Sequence, residues 1–182
     1  MKIPKRAKRV FQGVIYDIYQ WREKNFDGSE ATFEAARRED SVQIIAADKT
    51  HVYVGHERQP GGKAFYSFFG GRVDAGESAL AAAKRELREE SGMVSDDWEL
   101  LQTYQVPGRI EWNIHYYIAR DCRVMADQSL DPGERIDILR MSFRSFLTLL
   151  RHPDFRGAER MIDILASAFD SKKVAHLRKK LF

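Results

Sequence analysis

The pattern of apolar and polar residues predicts β-strands at the start of the chain. Residues 10–21, VFQGVIYDIYQW, are rich in β-branched and aromatic side chains, which favour one extended strand. Residues 25–29, NFDGS, contain an Asp-Gly pair typical of a tight turn, and residues 31–39 are predicted to return as a second strand. We therefore interpret residues 1–40 as an N-terminal antiparallel strand extension.

The most distinct helix is predicted at residues 78–91, SALAAAKRELREES. Strong helix formers fill its interior, Ser78 can cap its start, and Gly92 stands where a left-handed C-terminal cap is favoured. The other predicted elements are strands at 41–48, 51–57, 98–106, 110–119 and 135–143, and helices around 144–151 and 157–170. This order predicts an α/β fold in which a mixed β-sheet is sandwiched between helices.

Composition restricts the chain to the ordinary globular classes. Its 182 residues are 43% hydrophobic and 31% charged, enough for one domain with a substantial core. No apolar run reaches the roughly 18–20 residues that span a bilayer, and the apolar segment behind the basic N-terminus is interrupted by Gln12 and Gly13. We therefore expect no membrane partner and a cytoplasmic location. The single cysteine, Cys122, excludes an internal disulfide and is expected to be a buried apolar residue.

Basic residues are concentrated at both ends, although the net charge is only +3. Five of the first nine residues are Lys or Arg, and the C-terminal segment carries Lys172, Lys173, Arg178, Lys179 and Lys180. Such ends can contact nucleic acid or anionic lipid. Because no aromatic residues are interleaved for base stacking, we expect solvated, partly frayed ends and no nucleic-acid partner.

Three glutamates are predicted to share one face of the 78–91 helix. At about 100° per residue, Glu86, Glu89 and Glu90 fall on one arc. The adjacent arc, which would face the core, consists of Leu80, Ala83 and Leu87. The carboxylates would repel one another unless a divalent cation bound them, and Mg²⁺ prefers oxygen ligands. Taken alone, a solvated acidic face also explains this pattern.

The loop before this helix favours the metal-binding interpretation. It contains Gly70, Gly71 and Gly76, and glycine permits the close backbone approach that brings carbonyls or amides to a metal or phosphate. Loop and helix together form one long pattern. Gly71 is followed by five residues, Glu77, seven residues and then residues 85–93, RELREESGM. This pattern resembles the Nudix box of the Nudix hydrolases at each of its fixed positions.

The resemblance implies metal-assisted hydrolysis of a diphosphate bond, with Mg²⁺ as the cofactor and Mn²⁺ as the alternative ion. It implies Glu86, Glu89 and Glu90 as metal ligands and Gly70 as the donor of a backbone carbonyl to the metal. Arg85 would orient the glutamates. Glu77 would brace the loop against the helix or assist with the metal. Gly71, which begins the box, would contact the substrate.

The flanking sequence resembles one branch of that family, the ADP-ribose pyrophosphatases and nucleotide-sugar hydrolases. The branch has N-terminal strands, a strand like residues 40–48, DSVQIIAAD, and a proline at the place of Pro107. It often carries its catalytic base in an acidic loop like DPGERID, which here offers Glu134 first, with Asp131 and Asp137 behind it. A turn residue is the alternative interpretation of Glu134.

Two features qualify the assignment of the substrate. The branch commonly has Glu-Leu-Pro-Ala-Gly at the start of the box, where this chain has Ser67, Phe68, Phe69, Gly70 and Gly71. Arg58 corresponds to a phosphate-binding arginine of the branch, or is an ordinary surface arginine.

The expected function is hydrolysis of ADP-ribose or a similar nucleoside diphosphate sugar to a nucleoside monophosphate and a sugar phosphate. The alternatives are a nucleoside triphosphate or dinucleoside polyphosphate hydrolase, a non-catalytic nucleotide sensor, and an RNA-processing protein. Branch members commonly dimerise through their N-terminal strands. We therefore expect residues 1–40 to form a homodimer contact and residues 41–182 to form the catalytic domain.

Overall fold

A computed structural model describes residues 2–157 and 170–182. The strands are β1 (Lys8–Gln12), β2 (Asp17–Lys24), β3 (Glu30–Arg37), β4 (Ser41–Ala47), β5 (His51–Arg58), β6 (Phe65–Ser67), β7 (Met93–Val94), β8 (Asp97–Gln105), β9 (Ile110–Glu111), β10 (Asn113–Arg120), β11 (Arg123–Val124) and β12 (Arg135–Ser142). The helices are α1 (Ala79–Ser91), α2 (Phe143–Leu149) and α3 (Ser171–Leu181).

The central sheet has the strand order β12-β5-β4-β10-β8, and β6 pairs with β5. It is mixed, because β4 and β10 run parallel while their other neighbours are antiparallel. Side chains of β4 alternate between the two faces: Val42 and Ile44 pack with α1, whereas Ile45 packs with α2 and α3. The predicted α/β fold, a mixed sheet sandwiched between helices, is confirmed.

Helix α1 begins and ends where the sequence predicts. The Ser78 hydroxyl accepts a hydrogen bond from the Ala81 N–H, and Gly92 adopts a φ of 67° while its N–H donates to the Arg88 carbonyl. Leu87 is buried as expected, but the prediction for Leu80 was wrong, since it is exposed. Burial in α1 starts with the residue after Ala81, so the first turn does not pack fully against the sheet.

The N-terminal extension differs from its prediction in one respect. Residues 10–21 do not form one strand, because the chain turns at residues 13–16, where the Gly13 N–H donates to the Tyr16 carbonyl at 3.0 Å. The turn contains β-branched Val14 and Ile15, which hid it from the pattern. The Asp-Gly turn is confirmed between β2 and β3. The sheet has the order β1-β2-β3-β9, so a strand from the second half of the chain closes it.

The C-terminal prediction was wrong for the basic tail. It forms α3, capped by the Asp170 side chain, and its Leu177 and Leu181 are buried in the core. The lysines stay outside, and Lys180 pairs with Glu99 on β8. An i, i+4 leucine pair therefore anchors a segment that its charge alone marks as frayed. Helix α2 matches the predicted 144–151, whereas the helix predicted at 157–170 lies outside the described ranges except for its two end residues.

Two further sequence predictions can be compared with the described residues. Among the described residues, no helix is both long and apolar enough to cross a bilayer. Cys122 is buried, and burial raises the pKa of its thiol to about 12, so the residue is an unreactive part of the core.

Candidate active site

The glycine pair at the start of the box, Gly70 and Gly71, lies between β4 and α1. The carbonyls of Phe69 and Gly71 accept hydrogen bonds from the N–H groups of Ile44 and Val42 at 2.7 and 2.9 Å. The intervening Gly70 N–H points the other way and donates to Glu90 Oε2 at 2.7 Å. Because successive carbonyls alternate along an extended segment, we expect the Gly70 carbonyl on the side of Glu90, where the sequence predicts a metal contact.

Neither glycine of this pair tolerates a larger residue without change. Gly70 has a φ of 147°, and a Cβ there would lie 2.1 Å from the Val42 carbonyl oxygen. A Cβ on Gly71 would lie 2.4 Å from Glu86 Oε1 and 2.8 Å from Glu86 Oε2. The Glu86 carboxylate therefore rests directly on bare backbone, which fixes its position relative to the loop.

Arg85 connects the acidic residues of the box. Its Nη1 donates to Glu86 Oε1 at 2.8 Å and to Glu89 Oε2 at 3.0 Å. Its Nε and Nη2 donate to the Glu77 carboxylate at 3.3 and 3.1 Å, and Nη2 also reaches the Arg72 carbonyl at 3.0 Å. Arg85 lowers the pKa of Glu77. The predicted orienting and bracing roles therefore have a physical basis in these contacts.

Burial disfavours the ionised form of two of the three helix carboxylates, Glu90 and Glu86. Glu90 is only 7% exposed, and burial raises its pKa well above the ordinary value, with a further contribution from Glu86. Burial also raises the pKa of Glu86, although Arg85 opposes the shift. Desolvated carboxylates of this kind are common at functional sites, where a cation offsets their charge.

The oxygen donors of the box suit a divalent cation, although they are not assembled around one point. Arg85 Nη1 contacts both Glu86 and Glu89, so a single small cationic group already reaches two carboxylates. Within the described ranges, no three acidic, His or Cys side chains converge closely enough to enclose an ion by themselves. Mg²⁺ usually keeps several waters and shares substrate phosphates, so a few carboxylates beside an open cavity suit it.

A cavity of about 700 Å³ borders these carboxylates and brings in the acidic loop. Its walls include Glu86, Glu89 and Glu90 of α1 and Asp131 and Glu134 of the acidic loop. Burial raises the pKa of Glu134, and the charges of Glu57 and Asp131 add to the shift. Asp137 is not part of this cavity, because it is exposed on β12 and lies 4.0 Å from His56.

Arg58 is not brought into the site. It lies at the exposed end of β5, whereas its neighbours Glu57 and Gln59 line a second cavity of about 340 Å³. Alternation along the strand explains the difference, because Glu57 and Arg58 must point to opposite faces. Both cavities are lined by Gly70 and Gly71, so they adjoin there, and we refer to the two together as the groove.

The second cavity contains several polar and aromatic side chains that the sequence did not single out. The Arg38 guanidinium stacks over Trp112 at 4.2 Å, and both Arg38 and the Trp112 indole N–H donate to the Ser41 hydroxyl. Arg156 stacks over Phe65 at 3.4 Å. Arg72 also lines this cavity, and so does Ser67, which the sequence showed only as a departure from the usual start of the box. Of these residues, only Arg72 lies within the box, at one of its variable positions. For Glu57 the one available sequence signal is strand alternation, which places it on the face opposite Arg58.

A family model described as NUDIX domain matches residues 37–163. The match includes the central sheet, α1 and the lining residues of both cavities except Val14 and Ile15.

Three curated relatives are similar to most of the chain. A methanol dehydrogenase activator of Bacillus methanolicus is 23% identical over 163 residues, which cover 87% of this chain and 88% of the relative. An ADP-ribose pyrophosphatase of Bacillus subtilis (strain 168) is 22% identical over 156 residues, which cover 84% of each protein. The ADP compounds hydrolase NudE of Escherichia coli (strain K12) is 28% identical over 138 residues, which cover 72% of this chain and 73% of the relative.

Among solved structures, that of an ADP compounds hydrolase has a TM-score of 0.74 at 21% identity. The alignment covers 97% of this chain and 93% of that one. The likeness confirms the fold, including the N-terminal sheet in its span.

Proposed function

The chain belongs to the NUDIX domain family, and on that premise we propose that this hydrolase cleaves the diphosphate bond of ADP-ribose or a related ADP-linked compound. The products would be a nucleoside monophosphate and a sugar phosphate. Two relatives bear the names ADP-ribose pyrophosphatase and ADP compounds hydrolase, which supports this substrate class.

One observation carries the proposal: the helix carboxylates and the Gly70-Gly71 backbone meet in the middle of a groove that continues to both sides. A diphosphate at this junction would leave room for one substituent in each cavity. Arg38, Arg72 and Arg156 line the smaller cavity, and guanidinium groups suit phosphate oxygens. This arrangement favours a diphosphate with two substituents over a triphosphate with one.

Glu86, Glu89 and Glu90, with the Gly70 carbonyl, would hold Mg²⁺, or Mn²⁺ as the alternative. When bound, such an ion neutralises diphosphate charge and lowers the pKa of a coordinated water. Arg85 keeps the glutamates on the groove side of α1 through its bonds to Glu86, Glu89 and Glu77. Gly70 fixes Glu90 through its N–H.

We assign the general base to Glu134, which lines both cavities and has a raised pKa. A base with a raised pKa accepts a proton more readily near neutral pH. Glu134→Gln is expected to lower kcat by about 10²-fold, with little change in KM. The pH profile of kcat provides the measurement, because its acidic limb should disappear in the variant. An unchanged acidic limb would assign the base elsewhere.

A substrate panel tests the proposed function. ADP-ribose, ADP-sugars, dinucleotides, coenzyme A and nucleoside triphosphates are incubated with the protein and Mg²⁺, and phosphate is measured after phosphatase coupling. We expect ADP-ribose and ADP-sugars to give the highest kcat/KM, and EDTA to abolish turnover until Mg²⁺ is restored in excess. Preference for triphosphates or dinucleotides would support the alternative hydrolase class. Binding without turnover of any compound would favour a nucleotide sensor.

We also propose that the protein is a homodimer formed through its N-terminal sheet. Within the described residues, β1 is an edge strand, and its Val10 and Phe11 side chains are 53% and 60% exposed. Such an edge is a ready template for a second chain. The cytoplasmic location stays a prediction.

Light scattering tests the dimer directly. The wild type is expected to have twice the chain mass of 21.1 kDa at micromolar concentration. Val10→Lys should give the monomer mass, because charge blocks edge pairing. Val124→Lys is the matched control, since Val124 is also an exposed valine but lies on the distant β11. A monomeric wild type contradicts the proposal.

A further inference from the structure

Glu57 lines the smaller cavity. Glu57 is only 9% exposed and lies on β5, outside the Nudix box. Its Oε1 accepts a hydrogen bond from Gln59 Nε2 at 2.7 Å, and its Oε2 accepts one from the Ser67 hydroxyl at 3.2 Å. These two neutral donors hold the side chain in place.

The hydrogen-bonding capacity of this carboxylate is only half used. An ionised carboxylate can accept about four hydrogen bonds, and Gln59 and Ser67 supply two. No Lys, Arg or His of the described residues forms an ion pair with Glu57. Because buried acceptor atoms with unused lone pairs are costly, these positions favour a ligand that brings its own donors.

The position of Glu57 determines which part of a ligand it can meet. Its cavity adjoins the diphosphate junction at Gly70 and Gly71, and it is also lined by Glu90 and Glu134. A carboxylate such as that of Glu57 repels phosphate, whereas the guanidinium groups of Arg38, Arg72 and Arg156 attract it. Glu57 is therefore placed to meet the neutral group that follows the diphosphate.

We propose that Glu57 determines specificity by accepting hydrogen bonds from two vicinal hydroxyls of a substrate sugar. One acceptor position remains on each carboxylate oxygen, and a cis diol presents two donors side by side. This inference rests on the proposed function, because it assumes a diphosphate with a sugar attached. The ribose on either side of the diphosphate provides this chemistry, and the experiment distinguishes the two.

The test measures binding of the non-hydrolysable α,β-methylene analogue of ADP-ribose by calorimetry, in Mg²⁺. Two further analogues lack the vicinal hydroxyls of either the adenosine ribose or the terminal ribose. Glu57→Gln is expected to weaken binding of the complete analogue by roughly 10- to 100-fold, as for loss of charge-assisted hydrogen bonds. The substitution should not change the affinity for the analogue that lacks the diol facing Glu57. The analogue whose affinity is unchanged therefore identifies which ribose occupies the cavity.

Glu57→Asp and Glu34→Gln serve as controls. The aspartate keeps the charge with a shorter reach, so it should discriminate in the same direction if the glutamine variant does not fold. Glu34 is exposed on the N-terminal sheet, and its variant should bind as the wild type does. Equal weakening for all three analogues, unchanged binding, or recovery of affinity at high Mg²⁺ overturns the proposal. These ratios need no turnover, so they remain decisive even if the substrate panel shows no hydrolysis.

Discussion

Replacement of Glu90 by Gln is expected to lower kcat by about 10²–10³-fold or more, the range seen when preorganised charge stabilisation is removed. The carboxylate is buried and accepts a hydrogen bond from the Gly70 N–H, so its position beside the Gly70-Gly71 backbone is fixed. Gln keeps the size and the acceptor oxygen but removes the charge that would hold a cation. Glu86→Gln should have a similar effect, because that carboxylate rests on the Gly71 backbone.

The same substitution should leave the fold intact or make it more stable. The pKa of Glu90 is raised by burial, so folding favours its protonated form. The ionised side chain therefore costs stability above the raised pKa, and the cost vanishes as the pH falls toward the ordinary value of 4.5. Without metal, Glu90→Gln should melt at or above the wild-type temperature at neutral pH, and the difference should shrink on acidification.

Steady-state kinetics and thermal unfolding check both parts of this prediction. Glu34→Gln is the matched control, because it makes the same chemical change on an exposed strand that lies outside the groove. The control should retain wild-type turnover. Near-wild-type turnover of both Glu86→Gln and Glu90→Gln would remove the carboxylates from the mechanism.

Replacement of Gly71 by Ala is expected to lower kcat by about 10²-fold while the protein remains folded. The new Cβ would lie 2.4 Å from Glu86 Oε1, which must move. The obstructing atoms are the end of a side chain, so the backbone need not shift. A displacement of about 1 Å at a catalytic group can cost roughly 10²-fold in rate. Turnover and the melting temperature are the measurements.

Substitutions of two other glycines, Gly70 and Gly62, provide the comparison. Gly70→Ala should instead lose the fold, because its Cβ would meet the Val42 backbone at 2.1 Å and the φ of 147° disfavours any side chain. Gly62→Ala, in the loop after β5, meets no atom closer than 3.6 Å and should resemble the wild type. Wild-type turnover of Gly71→Ala would show that Glu86 does not need its present position.

Much of the fold could be predicted because its signals are local. Helix α1 carries its caps, Ser78 and Gly92, in the sequence itself. The strands of the central sheet appear as short apolar runs. The break between β1 and β2 was missed because Val14 and Ile15 favour strands even in a turn. Helix α3 was missed because its burial depends on Leu177 and Leu181 contacting a core made elsewhere in the chain.

The candidate site likewise has one part that the sequence predicts and one part that it does not. Its box residues lie within one stretch of 23, where spacing and composition identify them. The smaller cavity is assembled from strands distant in sequence, so no local pattern places Arg38 beside Trp112. The sequence shows that Ser67 departs from the usual start of the box. It does not show the consequence, which is that the Ser67 hydroxyl donates a hydrogen bond to Glu57 across the β5–β6 pair.

The most direct test of the central claim follows the phosphorus NMR spectrum of ADP-ribose mixed with Mg²⁺ and the wild type, Glu90→Gln or Glu34→Gln. The account predicts that the diphosphate signals are replaced by those of AMP and ribose 5-phosphate with the wild type and Glu34→Gln, and persist with Glu90→Gln. Equal cleavage by all three proteins, or no cleavage by the wild type of ADP-ribose or any ADP-sugar, would contradict it.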